Sequence, residues 1–310
     1  MEWTMRFDWL AWSNPVAIWW GFLLIVSGAN ISLLLLLHRR LRIRSVVREW
    51  GAFRIELMVL LCAAYVFGCA FRSVLPRADV QRICLFDTWL SSVVVGRSVA
   101  TVAEICFVIQ WAIVLRHLAS LARSDMVRSI SAAIVPLIVL AECCSWYAVI
   151  TTSYLGNAVE NSLWTVTFLL IAAALLRLLP EFRGVIQLAI GAAVAGVAGY
   201  LAFLVMVDVP MYFGRWQADL TSGKQILGLV AGLHDVSARW VVTHDFAHWK
   251  DEIPWMSLYF SAAVWSSLAL CSLSLVKERL PRYRRSSASR AGQRMPVRTA
   301  VAERAGLRHQ

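Results

Sequence analysis

Charge is scarce in this sequence. Only 16% of its 310 residues are charged and 59% are hydrophobic, against about 25% charged in soluble globular domains. That excludes the two ordinary water-soluble domains that the length alone would suggest. The seven cysteines (Cys62, Cys69, Cys84, Cys106, Cys143, Cys144, Cys271) form no CxxC, and only Cys84 falls in a predicted outer loop. Neither a disulfide framework nor a thiolate metal site is indicated. Histidine occurs six times, too rarely for the histidine-rich di-iron membrane hydroxylases and desaturases. There is no G-x-S-x-G, no Walker A and no GxGxxG in a strand–helix setting. The signatures of nucleophile-elbow hydrolases, P-loop NTPases and dinucleotide binders are therefore missing.

What the chain has is long apolar runs. They predict spans at about 16–37, 56–75, 90–115, 130–152, 162–179, 185–207 and 256–276, each near the roughly 20 residues that cross a bilayer core as a helix. The expected fold is all-α, a polytopic bundle of about seven transmembrane helices. Glu2 and Asp8 stand where a secretory signal carries positive charge, so the first run reads as an uncleaved helix.

Arginine fills alternate gaps. It crowds the stretch after the first run (Arg39, Arg40, Arg42, Arg44, Arg48, Arg54). It returns after the third (Arg116, Arg123, Arg128), the fifth (Arg177, Arg183) and the last (Lys277, Arg279, Arg282, Arg284, Arg285). The positive-inside rule places those gaps in the cytoplasm, the N-terminus outside and the C-terminus inside. The expected setting is a bacterial inner membrane or its equivalent. Trp9, Trp19, Trp20, Trp89, Trp216, Trp240, Trp249 and Trp255 gather at predicted outer ends, where indole suits the headgroup layer.

Residues 1–276 are expected to form the membrane domain, with an outer segment over 208–255 read as one or two interfacial helices bounded by Pro210 and Pro254. Residues 277–310 carry ten Lys/Arg against Glu278 and Glu303. That tail is expected to be disordered and drawn to anionic inner-leaflet lipids. It offers no aromatic platform for nucleic acid. Gly191, Ala195 and Gly199 recur every fourth residue in the sixth span, a spacing that lets another helix approach closely.

Charges inside spans are the first candidates for chemistry, because hydrocarbon makes them costly. Arg97 and Glu104 are two helical turns apart on one face, and Glu142 of the antiparallel fourth span falls at an intermediate depth. Glu160 opens the fifth span above them. The cluster serves either as a substrate or proton site or as a buried ion pair that fixes helix register. The second candidate is His244-Asp245-Phe246-Ala247-His248. Histidines at i and i+4 on a helix share a face and can ligate zinc; His234, Asp251 or Glu252 would complete the set. The motif is not HExxH, since Glu is absent from its second position. A third set, Arg215, Lys224, Arg239 and Lys250, could meet a lipid phosphate.

Two functions follow as expectations. One is a metal-dependent hydrolase or transferase acting on a lipid or lipid-linked substrate at the outer face. There zinc at His244, His248, His234 and Asp251 would activate water, Arg97 and Arg239 would neutralise charge, and Glu104 or Glu142 would move protons. The other is a non-enzymatic transporter, sensor or assembly factor built on the Arg97/Glu104/Glu142 cluster. Seven spans with HxxxH near the last resemble in outline the transmembrane hydrolases that include alkaline ceramidases. Their early Ser-xxx-His has no counterpart here, and the histidine pair precedes the last span, so the chain is not assigned to them.

Overall fold

A computed structural model of the chain describes residues 8–10, 13–43 and 52–273. All of them belong to the unit Met1–Lys277. Arg44, Arg48, Trp3, Trp12 and the predicted tail, 277–310, lie outside the described residues.

Seven helices are long and apolar enough to cross a membrane. The first five are α1 (Pro15–Ile43), α2 (Ala52–Val74), α3 (Val93–Ala122), α4 (Asp125–Thr151) and α5 (Tyr154–Leu178). Local chemistry sets their ends. Asn14 Oδ1 accepts the Val16 N–H at 2.9 Å ahead of Pro15, a side-chain cap followed by a proline at the first helical position. Ser124 caps α4 by accepting the Val127 N–H. Arg123 and Thr152 terminate α3 and α4 in the left-handed region. The resulting two-residue connections force α3, α4 and α5 into antiparallel neighbours. Several helices outrun their apolar stretches because the hydrogen-bonded ladder continues into the polar boundary, where hydropathy no longer marks it.

The sixth span departs most from expectation. α6 (Val185–Phe203) runs through a π-turn at Leu204–Asp208 into α7 (Val209–Thr221), one rod of 37 residues. At 1.5 Å per residue that is about 55 Å, well beyond a bilayer core of about 30 Å. Pro210 had marked the end of the span. A proline ring clashes with the carbonyl four residues earlier in an α-helix, and the wider π-turn immediately before it relieves that conflict without breaking the rod. The seventh span also holds a π-turn, but with no proline after it in the helix: α10 (Ile253–Leu258), the π-turn at Tyr259–Ala263, then α11 (Val264–Ser272).

One end of the bundle is capped. The β1 (Arg77–Ala78)/β2 (Ile83–Cys84) hairpin, between α2 and α3, pairs in parallel with β3 (Val241–Val242). Two short helices, α8 (Leu229–Ala238) and α9 (Phe246–Trp249), complete the cap. Buried Arg82, itself left-handed at φ 61°, fastens it. Its Nε meets Asp235 Oδ2 at 2.8 Å, and its Nη atoms donate to the carbonyls of Asp79 and Val149, each at 2.6 Å. Gly232 lets α8 sit on the end of α4, for a Cβ there would lie 2.1 Å from Ile150 O.

Tryptophans serve this cap more than a headgroup layer. Trp19 and Trp249 are buried with rings 5.5 Å apart, and Trp240 Nε1 donates to Asp87 at 2.9 Å. Elsewhere the exterior is apolar: Ile25, Leu60, Leu188 and Met206 are each at least 66% exposed. Interior polar pairs such as Ser267–Gln110 (2.6 Å) and Asn30–Phe260 O (3.0 Å) join helices where no water is displaced to drive association.

Candidate functional site

Near the capped end, α3, α4 and α5 converge on one nitrogen. Arg97 Nη2 lies 2.5 Å from Glu142, 3.1 Å from Glu104 and 3.4 Å from Glu160. All four side chains are buried. The two-turn spacing puts Arg97 and Glu104 on one face of α3, and Thr101 between them donates to Glu142 Oε2 at 2.6 Å. Trp146 Nε1 in turn donates to Thr101 at 3.1 Å. Asn157 Nδ2 donates to Glu160 at 3.0 Å. Tyr259 OH, carried by the π-turn of the last span, donates to Glu104 Oε1 at 2.8 Å. Three carboxylates thus share one guanidinium.

Ligand atoms of Glu104, Glu142 and Glu160 lie within 4.8 Å of one another, the arrangement a metal ion would need. Arg97 Nη2 stands within contact of all three. A divalent ion between them would have to displace the guanidinium, so the trio as arranged fits protons and Arg97, not a metal.

Glu104 and Glu160 also face a cavity of about 750 Å³. Its upper part is polar, with Arg72, Asp79, Arg97, Asn157, Asp208 and Glu252. Its lower part runs between the sixth and seventh spans over Trp164, Phe168, Val197, Ala262, Leu270 and Leu273. Gly196 and Gly199 border it with open space where a Cβ would project. The small-residue stripe of the sixth span therefore widens a cleft at Gly199, where close helix packing was expected.

The cap closes the polar end. Glu252, 2% exposed, accepts from Arg215 Nη1 (2.9 Å), Gln81 Nε2 (2.7 Å) and Trp255 Nε1 (2.6 Å), joining α7, the hairpin and α10. Asp79 pairs with Arg77 at 2.6 Å. Burial alone would raise its carboxyl, but Arg72 and Arg77, with Arg97 further off, outweigh that and hold it down to about 2. Arg77 reaches across Gly96, where any Cβ would collide with its side chain, to donate to Ser91 O. Burial pushes the Cys84 thiol up to about 11, so it is no ready thiolate.

The histidines are not brought together. Asp245 caps α9 by accepting the Ala247 N–H at 3.0 Å. His244 therefore precedes the helix, and the i, i+4 geometry does not apply. Its ring stacks on Trp9 at 4.2 Å, and its Nε2, 2.9 Å from Leu85 O, must donate there. His248 is exposed beside Asp245 at 3.6 Å, His234 is exposed on α8, and Asp251 pairs with Arg215 at 3.4 Å. These residues assemble no three-ligand centre among the described residues. Arg239 is spent on Asp235 at 2.5 Å at the cap surface, and Lys224 on Asp219 at 2.6 Å. Of the expected phosphate-binding set, Arg215 and Lys224 both stand over the Tyr154 ring, at 5.6 and 4.9 Å, while Arg239 lies apart on Asp235.

Sequence reasoning overlooked Asp208 and Tyr259 as cavity residues. Sequence places Asp208 as the first residue of the outer interfacial segment, although a lone acid two residues before a proline at the end of an apolar run is a usable signal. The fold and site together define a class, a seven-helix membrane-type bundle with an amphipathic cavity beneath a cap. No family model, curated protein or solved structure matches the chain.

Proposed function

We propose that this is a multi-pass membrane protein that admits a lipid or lipid-linked amphiphile from the bilayer and works on it at the capped, outer face. The observation that supports this is the cavity itself, which is polar at the Arg97 cluster and apolar between the sixth and seventh spans. That division matches one molecule with a head and a chain. Glu104 and Glu160 touch both the cluster and the cavity. They are the groups placed to give or take a proton at the bound head, as a hydrolase or transferase requires. Arg97 neutralises the form that has lost its proton. Zinc at the histidines is not part of this reading.

A second reading, a carrier, has its own support. The sixth span is the least buried of the seven, 17% over its most apolar window, and two π-turns flank the cavity. Such a helix can move without undoing the core.

Gly196→Trp tests the shared premise by filling the cleft from a position with room for a side chain. Protein extracted from its own membrane should carry a bound amphiphile by native mass spectrometry. The variant should melt like wild type and carry none. Equal occupancy in both would remove the cavity from consideration.

A further inference from the structure

The cavity's charge points to the chemistry of its ligand. This inference rests on the amphiphile reading above and specifies the head group. Six carboxylates stand at or behind the polar end: Asp79, Glu104, Glu142, Glu160, Asp208 and Glu252. Four guanidiniums oppose them, Arg72, Arg77, Arg97 and Arg215. Each guanidinium has an acid other than Asp208 within 4 Å, Arg72 only at 3.7 Å, while the buried Nε atoms of Arg72 and Arg97 have no hydrogen-bond partner among the described residues. Asp208 is 8% exposed, borders the cavity, and makes no hydrogen bond or ion pair among the described residues. Arg215, two turns further along the same rod, turns instead to Glu252 and Asp251.

A carboxylate buried without a partner is costly. Such a group at the wall of a cavity either takes up a proton or is paired by a cation that enters the cavity. The π-turn at Leu204–Asp208 ends on this residue, and single π-turns in helices recur at functional sites. Tyr200, Phe203, Tyr212 and Tyr259 border the same space, and aromatic faces attract ammonium groups. An anionic head would face an excess of carboxylates. A neutral head could meet Asp208 only through hydrogen bonds, whereas a cation would also offset the excess of carboxylates.

We propose that Asp208 receives the positively charged head, an amine or quaternary ammonium, of an amphiphile whose apolar chain lies in the cleft between the sixth and seventh spans.

The full chain in nanodiscs of digalactosyl diacylglycerol, which carries no ammonium group, would be titrated with dodecyltrimethylammonium, with the neutral octaethylene glycol monododecyl ether and with laurate. Empty discs serve as the blank. Binding would be read by tryptophan fluorescence, since Trp164, Trp255 and Trp265 border the cavity, and stoichiometry by native mass spectrometry. Wild type should bind the cation best, one per chain. Asp208→Asn should weaken the cation on the order of thirtyfold, the scale of breaking a buried charge pair, and leave the neutral probe unchanged. Asp208→Glu should restore part of the loss. Equal binding of cationic and neutral probes by wild type, or an unchanged cation affinity in Asp208→Asn, overturns the head-group assignment while leaving the cavity in place. Loss of selectivity for every probe in Gly196→Trp is the expected control. Unchanged binding there overturns both readings. If Asp208→Asn does not fold, the wild-type comparison alone decides.

Discussion

At the residue scale the energetic weight lies on Arg97. One guanidinium nitrogen meets three buried carboxylates, so removing it strands like charges in a medium that solvates them poorly. Arg97→Leu should cost about 3–5 kcal/mol, the usual penalty for breaking a buried pair from one side. Combining it with Glu142→Gln should recover part of that loss. Additive effects of the two substitutions in a detergent melt would show that the contact carries no coupling. Asp79 gives a pH signature. Its carboxyl sits at about 2 in the folded protein against an ordinary 3.8. The stability it contributes is therefore present above about pH 4 and lost as pH falls through 2. The amount is about 2 kcal/mol. Asp79→Asn should flatten that part of an acid melting series; a profile identical to wild type would contradict the assignment. Much of this cluster was legible. A two-turn spacing of Arg97 and Glu104 inside an apolar run has few structural meanings, and antiparallel order supplies Glu142. The histidines misled because i, i+4 spacing implies a shared face only inside a helix, and Asp245 starts the helix one residue too late.

At the element scale, sequence marks where hydrocarbon begins and ends but not where a helix does. The apolar run of the sixth span stops near residue 207, yet the rod continues to Thr221, because a π-turn absorbs Pro210. That continuation changes Asp208 from the start of an interfacial segment into a residue within the rod that borders the cavity. The cap was illegible for another reason. Its three strands are two residues each, too short for any period to register. Its fasteners are single contacts between distant segments, such as Leu227 N–H to Thr151 O at 2.9 Å. Gly232→Ala tests how far the cap depends on close approach. A Cβ there meets backbone at Ile150, which cannot move aside as a side chain can. The cost should be about 1–3 kcal/mol, the range for overpacking, and it should fall on the cap first. Limited proteolysis between Ser222 and Gly228 should accelerate while the spans stay protected. Unchanged cleavage would mean α8 docks more loosely than drawn.

At the scale of the whole molecule, seven of the described helices are long and apolar enough to cross a membrane, and an odd number of crossings would put the two ends of the chain on opposite sides. Which side is which follows from charge. Arg39, Arg40, Arg116, Arg123, Arg128 and Arg177 stand at the uncapped ends of their helices. Arginine resists crossing, so we propose that these ends lie in the cytoplasm and that the cap faces out. The opposing evidence is Arg77 and Arg82, which lie in the cap. Both are buried and paired, Arg77 with Asp79 and Arg82 with Asp235. The rule counts charges when the chain inserts, before such pairs exist, so these two weigh against the assignment. They are two against the larger set. Orientation bears directly on the proposed function: a cavity beneath an outward cap would take its amphiphile from the outer leaflet. Cysteines at Ser287 and Lys224, each in a background without the native thiols, decide it. An impermeant maleimide applied to intact cells should label Lys224→Cys and spare Ser287→Cys until the membrane is permeabilised. The reverse pattern would invert the bundle and move the proposed substrate to the inner leaflet, leaving the geometry of the site untouched.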